Sequence, residues 1–326
     1  MNRITKLLHK QAYKRIKDSN HILLATHEKP DGDALSSISV MIELLENLNK
    51  AYTAFCIDEP PVQFDFLPHI EKIKTNKDKI DISQYDLFIS LDCGSLSRTG
   101  LHEEINNSSQ KPFIIEFDHH LKIEDIADIE IRDSAAASTT EILYDFLQFN
   151  KISINKNIAN CILTGILTDT AFFLYPSTRD KTISIASEML EKGARFPQII
   201  ENTWRNKSLG AMQVWGKALS NIYLNKKYGL AFSVLTKKDI EQSRATEEEL
   251  EGIAGFMSNL EGVKAILLLR EELDGKIKGS LRTSRPDIDV SLLARALGGG
   301  GHKKASGFKI KGKLTKEDNV WKVVDN

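Results

Sequence analysis

The sequence is poor in cysteine: Cys56, Cys93 and Cys161 are the only three in 326 residues, and none forms a CxxC pair. An odd number without pair spacing excludes a disulfide framework and a cysteine-ligated zinc site, and it suits a reducing cytosol. An excess of one charge sign is also missing. Lys and Arg number 44 against 45 Asp and Glu, a formal net charge of -1. That balance argues against a protein that coats long nucleic acid by charge alone. No apolar run approaches the ~18 residues needed to cross a membrane. Proline is sparse, at 8 residues, and no repeat or low-complexity stretch is visible. The basic C-terminal half lacks the interleaved aromatics of a base-stacking platform. What remains, 41% hydrophobic and 27% charged, is a globular composition. The length suits about two domains.

The near-neutral total hides segregation. Residues 1–180 hold 19 basic and 27 acidic residues, net -8, and residues 181–326 hold 25 and 18, net +7. The positive excess lies within 276–326, where 12 basic residues face 5 acidic ones. The first seventeen residues are basic and acid-free, a trait shared with organellar presequences. Here Ile4, Leu7, Leu8, Ala12 and Ile16 fall on one helical face that runs straight into a strand-like HILLAT, so the segment reads as the first helix of the fold.

Short apolar runs at His21–Thr26, Tyr52–Ile57, Asp86–Leu91 and Phe113–Phe117 read as strands. Asp33–Leu48, with Val40, Leu44, Leu45 and Leu48 inward, and Asn157–Leu167 read as helices. The alternation predicts an α/β unit with a mostly parallel sheet over 1–180. A helical linker at 181–225 precedes a smaller α/β unit at 226–326. In that unit Gly229–Leu235, Val263–Arg270 and Lys276–Thr283 read as strands, and Thr246–Asn259 and Val290–Leu297 as helices.

Acidic residues and histidines follow these apolar runs. His27, Asp31 and Asp33 come after the first strand, Asp92 after the third, Asp118-His119-His120 after the fourth, and Asp169 ends CILTGILT. Loops at the carboxyl ends of parallel strands converge on one edge. Taken singly, an Asp there is a turn former or helix cap, and Asp33 would cap its helix adequately. Four segments agreeing in position is the stronger fact. Carboxylates gathered without cations repel each other. The four negative charges of Asp31, Asp33, Asp92 and Asp169 balance two divalent cations. Oxygen ligands mixed with imidazole suit Mn²⁺ or Mg²⁺. A metal pair ~3.5–4 Å apart activates a bridging hydroxide for phosphoester hydrolysis.

HEKPDGDA at 27–34, LDCG at 91–94, Asp118-His119-His120 and the TDT of 168–170 together resemble the four motifs of the DHH phosphoesterases. SLRTS at 280–284 and GGGGHKKASG at 298–307 resemble the DHH-associated C-terminal domain. The resemblance spans most of the chain and points to the short nano-RNase and pAp (3′-phosphoadenosine 5′-phosphate) phosphatase type. It implies two Mn²⁺, with Mg²⁺ or another divalent cation as a substitute. One would be held by His27, Asp31 and Asp92, the other by Asp33, Asp92, His119 and Asp169. Asp118 and His120 would be catalytic: Asp118 orients its neighbour, and His120 faces the substrate phosphate and assists the leaving oxygen. Arg98, Arg282, Ser284, Gly299, Gly300, Gly301 and His302 would bind substrate. One glycine after Leu297 would suffice as a helix C-cap, so four in a row suggest close backbone approach to a phosphate or base.

The expected activity is exonucleolytic hydrolysis of short oligoribonucleotides, dephosphorylation of pAp, or both, by a cytoplasmic enzyme with no membrane partner. A homodimer is left open. A cyclic di-AMP or linear dinucleotide phosphodiesterase shares these motifs. A nucleotide- or RNA-binding module without turnover is the alternative of another class, and the complete ligand set argues against it.

Overall fold

The protein is described here as a computed structural model covering residues 3–272, 274–317 and 320–324, with the side chains of Arg3, Ile4, Thr5 and Glu248 outside that description. The chain folds as two compact units, Met1–Asn206 and Lys207–Asn326. The 181–225 segment is divided between them.

In the first unit α1 (Arg3–Asp18) leads into β1 (His21–Ala25), α2 (Gly32–Asn47), β2 (Ala51–Phe55), the short β3 (Ile73–Lys74) and β4 (Leu87–Leu91). Then come α3 (His102–Asn107), β5 (Phe113–Asp118), β6 (Ile129–Arg132), α4 (Thr139–Phe149), α5 (Lys156–Asp169), α6 (Asp180–Glu191) and α7 (Phe196–Thr203). The expected strands are present to within a residue or two at their ends. Ala12 and Ile16 of α1 are buried and Leu8 is partly so, whereas Leu7 is exposed.

The six strands form one sheet in the order β3-β2-β1-β4-β5-β6, and every pairing is parallel. Ile22, Leu23, Leu24 and Ala25 are all fully buried, as a strand covered on both faces requires. Strand order reverses between β1 and β4, and the crevice at their carboxyl ends is where such sheets bind ligands. One face packs on the cluster containing Leu35, Ile38, Ile142, Phe146 and Ile162, and the other, through Phe55 and Phe88, on Leu96, Leu101 and Ile105.

The second unit comprises α8 (Leu209–Ser220), β7 (Tyr223–Asn225), β8 (Leu230–Leu235), α9 (Lys237–Ser243), α10 (Ile253–Met257), β9 (Ala265–Glu271), β10 (Lys276–Arg282) and α11 (Ser291–Ala296). Strands β11 (Gly300–Gly301), β12 (Ala305–Lys311), β13 (Lys313–Glu317) and β14 (Val320–Val324) complete it. Its sheet is mixed, ordered β11-β12-β10-β9-β8-β7, with β8 and β9 parallel. The helix expected over 246–259 is a 3₁₀ turn at Glu248–Leu250 followed by α10, because Gly252 between them sits at φ 90°. No described helix is long and apolar enough to cross a membrane.

Candidate metal centre

At the switch point the Thr26 hydroxyl donates to the carbonyl of Leu91 (2.9 Å), tying the ends of β1 and β4 together. The buried His27 follows, with Nδ1 2.6 Å from the carbonyl oxygen of Glu28. That bond fixes the proton on Nδ1 and turns Nε2 to the carboxylates. Nε2 lies 3.9 Å from Asp31 and 3.8 Å from Asp92. Asp31 is the N-cap of α2, with one oxygen accepting from the N–H groups of Asp33 and Ala34. The cap is therefore Asp31 and not Asp33, because Asp33 lies inside the first turn and points inward. Its buried carboxylate accepts from the N–H groups of Thr139 (2.6 Å) and Thr140 (3.1 Å) and from the Thr140 hydroxyl (2.8 Å).

Asp92 adopts φ 62°, unusual for a residue with a side chain, while its N–H still bonds the carbonyl of Phe117 (3.0 Å). The strained residue is 2% exposed. Backbone strain of this kind costs on the order of 1–3 kcal/mol and persists where surroundings over-determine it. His119 Nε2 lies 3.5 Å from Asp92 and 3.5 Å from Asp169. Asp169 is the last residue of α5, so a helix end rather than a strand end delivers the fourth segment. A carboxylate at a helix C-terminus opposes the helix dipole, and a nearby cation relieves that.

Among the described residues three triads share Asp92, each with ligand atoms within 4.8 Å of one another: His27/Asp31/Asp92 and Asp33/Asp92/His119, and Asp92/Asp118/His120, in which Asp118 and His120 are already bonded to each other. Burial, with the charges of Asp33, Asp31, Asp118 and Asp169 added, pushes the Asp92 carboxyl well above the usual carboxylate range. Asp33 is raised as well, mainly by burial. Burial works to lower His119, yet Asp169, Asp33 and Asp118 raise it. Burial holds His27 down. Such a cluster retains protons until cations replace them. The oxygen and imidazole donor set fits a divalent metal.

Asp118 stands behind this group, fully buried. It accepts from the N–H groups of Gly94 (2.6 Å) and His120 (2.8 Å) and from Nδ1 of His120 (2.8 Å), while Arg132 Nη1 lies at 3.2 Å. Burial would raise its carboxyl, but the His120 hydrogen bond and the charges of His120 and Arg132 hold it far below the usual range. Arg132 also donates to the carbonyl of His120 (2.7 Å) and pairs with Glu116 and Glu130. Arg98 lies beside the site. A Cβ added at Gly94 would meet both Arg98 Nη1 (3.4 Å) and the His120 ring (3.6 Å).

Sequence reasoning missed Arg132, Thr139, Thr140 and Gly165. A Cβ on Gly165 would fall 2.4 Å from an Asp33 carboxylate oxygen, so glycine is required there. The Ser-Thr-Thr-Glu of 138–141 is a capping pattern that would have flagged the start of α4. The Ser138 hydroxyl indeed accepts from the N–H of Glu141 (3.1 Å).

In the second unit, Arg282 ends β10 opposite Ala305 of β12, and Gly301 of β11 pairs with Ser306 of β12. Arg282 and the Gly300–His302 turn therefore share one end of that sheet. Ser284 is exposed just beyond it. Gly298, at φ 76°, follows the end of α11 as its cap. Gly299 abuts the backbone of β12 (a Cβ would lie 2.1 Å from the Gly307 oxygen), and Gly301 is at φ 124°. An added Cβ at Gly300 would have open space.

Residues 21–166 match the DHH family, N-terminal domain, and residues 227–326 match the DHHA1 domain. The chain belongs to the DHH family of phosphoesterases. Among curated relatives it is 28% identical to a bifunctional oligoribonuclease and PAP phosphatase, NrnA, of Bacillus subtilis (strain 168), over 89% of this chain and 89% of the relative. It is 27% identical to the protein of the same name from Thermus thermophilus, over 89% of this chain and 84% of the relative. A solved structure of an exopolyphosphatase-related protein from Bacteroides fragilis is also similar. It is 27% identical, with a TM-score of 0.85, over 94% of this chain and 92% of that one.

Proposed function

We propose that this chain is a Mn²⁺-dependent hydrolase that removes nucleoside monophosphates from short oligoribonucleotides and dephosphorylates pAp. The observation that carries the reading is that the triads His27/Asp31/Asp92 and Asp33/Asp92/His119 share Asp92, on a chain similar along most of its length to relatives named for these two activities. His27, Asp31 and Asp92 would hold one cation, and Asp33, Asp92, His119 and Asp169 the other. Such a pair supplies Lewis-acid charge to the phosphoryl oxygens and an acidified water as nucleophile. Asp118, its charge balanced by Arg132, fixes the ring of His120, and His120 passes a proton to the leaving oxygen. Arg98 offers a guanidinium to the phosphate. Arg282, Ser284, Gly299, Gly300, Gly301 and His302 hold the nucleotide end. A cytoplasmic location and a homodimer accord with this reading.

One panel with Mn²⁺ tests it: pAp, di- to pentaribonucleotides, cyclic di-AMP, linear dinucleotides and pyrophosphate. Turnover of pAp and the short oligomers is expected, with a raised KM in His302→Ala. Nucleotide binding without any product contradicts it, and preferred hydrolysis of cyclic di-AMP replaces the substrate assignment.

A further inference from the structure

Glu141 is fully buried, and it lies one turn into α4, the helix whose first residues bond Asp33 and Asp92. Its Oε1 accepts from Arg179 Nη2 at 2.7 Å and lies 3.3 Å from Lys181 Nζ. Its Oε2 accepts from the Thr182 hydroxyl at 2.7 Å. Thr182 in turn takes the N–H of Arg179 (3.2 Å) and closes the first turn of α6. These partners sit at the far end of the segment that leaves Asp169.

That segment is constrained at both ends. At its start, the buried Thr170 hydroxyl donates to the carbonyl of Ile166 (2.6 Å) and accepts from the N–H of Phe173 (3.0 Å). Ala171, Phe172 and Phe173 follow with φ of 47°, 59° and 69°. Three consecutive left-handed residues with side chains need outside support. The Phe172 N–H bonds the Leu167 carbonyl (2.7 Å), the Tyr175 N–H bonds that of Thr170 (3.0 Å), and Phe172 and Phe173 pack on the core. The anchors at the two ends add to these. Thr170 holds one end, and Glu141 holds the other through Arg179 and Thr182.

A buried carboxylate paired to two cations is seldom the cheapest way to join two helices, since apolar residues of similar volume often do as well. Its value lies in geometry: directional bonds fix the start of α4 relative to the start of α6. We propose that Glu141 is a positioning residue for the metal centre, locking the helix that orients Asp33 and Asp92 to the segment that follows Asp169 and so limits its movement. The inference rests on the metal-site assignment made under Proposed function. Losing the strut lets Asp169 and the Asp33/Asp92 pair drift apart, so the second cation binds more weakly while the fold survives.

The test is Mn²⁺ binding to the full chain, read by the electron paramagnetic resonance signal of unbound Mn²⁺ well below the melting temperature, in wild type, Glu141→Gln, Glu141→Ala and Thr182→Val. Loss of a direct outer partner of a metal ligand typically weakens binding by about 10- to 100-fold, and Glu141, which touches no proposed ligand itself, belongs at the lower end of that range. The weaker of two Mn²⁺ sites should lose about tenfold in Glu141→Gln and more in Glu141→Ala. Thr182→Val, which removes one donor, should fall between wild type and Glu141→Gln. If Glu141→Ala does not fold, the other two variants carry the comparison. Folded variants with two Mn²⁺ bound at wild-type affinity overturn the proposal and leave the metal-site reading intact. A wild type that binds no Mn²⁺ overturns the metal-site reading itself.

Discussion

The Thr139 hydroxyl donates to Oδ1 of Asp92 at 2.8 Å, joining the first residue of α4 to the residue that follows β4. The same helix start gives two backbone N–H groups to Asp33. One helix N-terminus thus orients a carboxylate from each of two segments. Carboxylates at a helix N-terminus are favoured by its dipole, which offsets part of their mutual repulsion.

Thr139→Val should therefore weaken divalent-metal binding by about tenfold, in line with loss of an outer partner of a metal ligand. The backbone bond to Asp33 survives the change, so activity should recover at high Mn²⁺. Titrating initial rate against Mn²⁺ checks this. An unchanged half-saturation point would disconnect Thr139 from the site.

Asp118→Asn separates orientation from metal binding. It removes the charge between His120 and Arg132, leaving the guanidinium facing a neutral amide. Loss of general acid catalysis costs about 10²- to 10⁴-fold in kcat. Steady-state kinetics should show kcat falling within that range while Mn²⁺ affinity changes little. A large loss of Mn²⁺ affinity with kcat intact at saturating metal would assign Asp118 to the metal shell instead.

Gly165→Ala places a methyl 2.3 Å from the Thr140 hydroxyl and 2.4 Å from Asp33. Overpacking of this kind costs about 1–3 kcal/mol, and here the shift falls on a proposed ligand. Thermal melts and Mn²⁺ titration should both move, the second more than the loss of stability alone explains. A wild-type melting temperature would contradict the packing described here.

The cluster of proposed ligands was legible because His27, Asp31, Asp33, Asp92, His119 and Asp169 stand in ordered motifs beside apolar runs, and the parallel sheet gathers strand ends at one edge. The supporting shell was not. Thr139 and Thr140 sit in a run of small residues, where the Ser138 cap and the apolar Ile142, Leu143, Phe146 and Leu147 mark a helix start but not what its first turn bonds. Arg132 reads as an ordinary strand-end arginine until β6 pairs with β5 and sets it opposite Asp118. Gly165 looks like a tolerated helix glycine until Asp33 is seen against it. These residues act through contacts across tens of positions, which local pattern does not carry. Likewise the 246–259 helix failed at Gly252, whose left-handed turn is set by its packing neighbours.

Protonation gives a fourth expectation. The metal-free folded state holds Asp92 well above its ordinary value, so it binds a proton that the unfolded chain releases. Stability from that group is present at acidic pH, below the unfolded value, and lost as pH rises through the raised folded one. Bound cations reverse this by replacing the proton. The gain in melting temperature from saturating Mn²⁺ should be larger at the alkaline end of the protein's stable pH range than at its acidic end. An equal gain at both would mean that no ligand proton is displaced in that window.

The shared position of Asp92 is tested most directly by counting Mn²⁺ bound per chain in wild type and in Asp92→Asn, with hydrolysis of a diribonucleotide measured on the same samples. Two Mn²⁺ in wild type, with weakened binding of both and almost no hydrolysis in the variant, is the predicted result. Two tightly bound Mn²⁺ or near-normal hydrolysis in Asp92→Asn would contradict it.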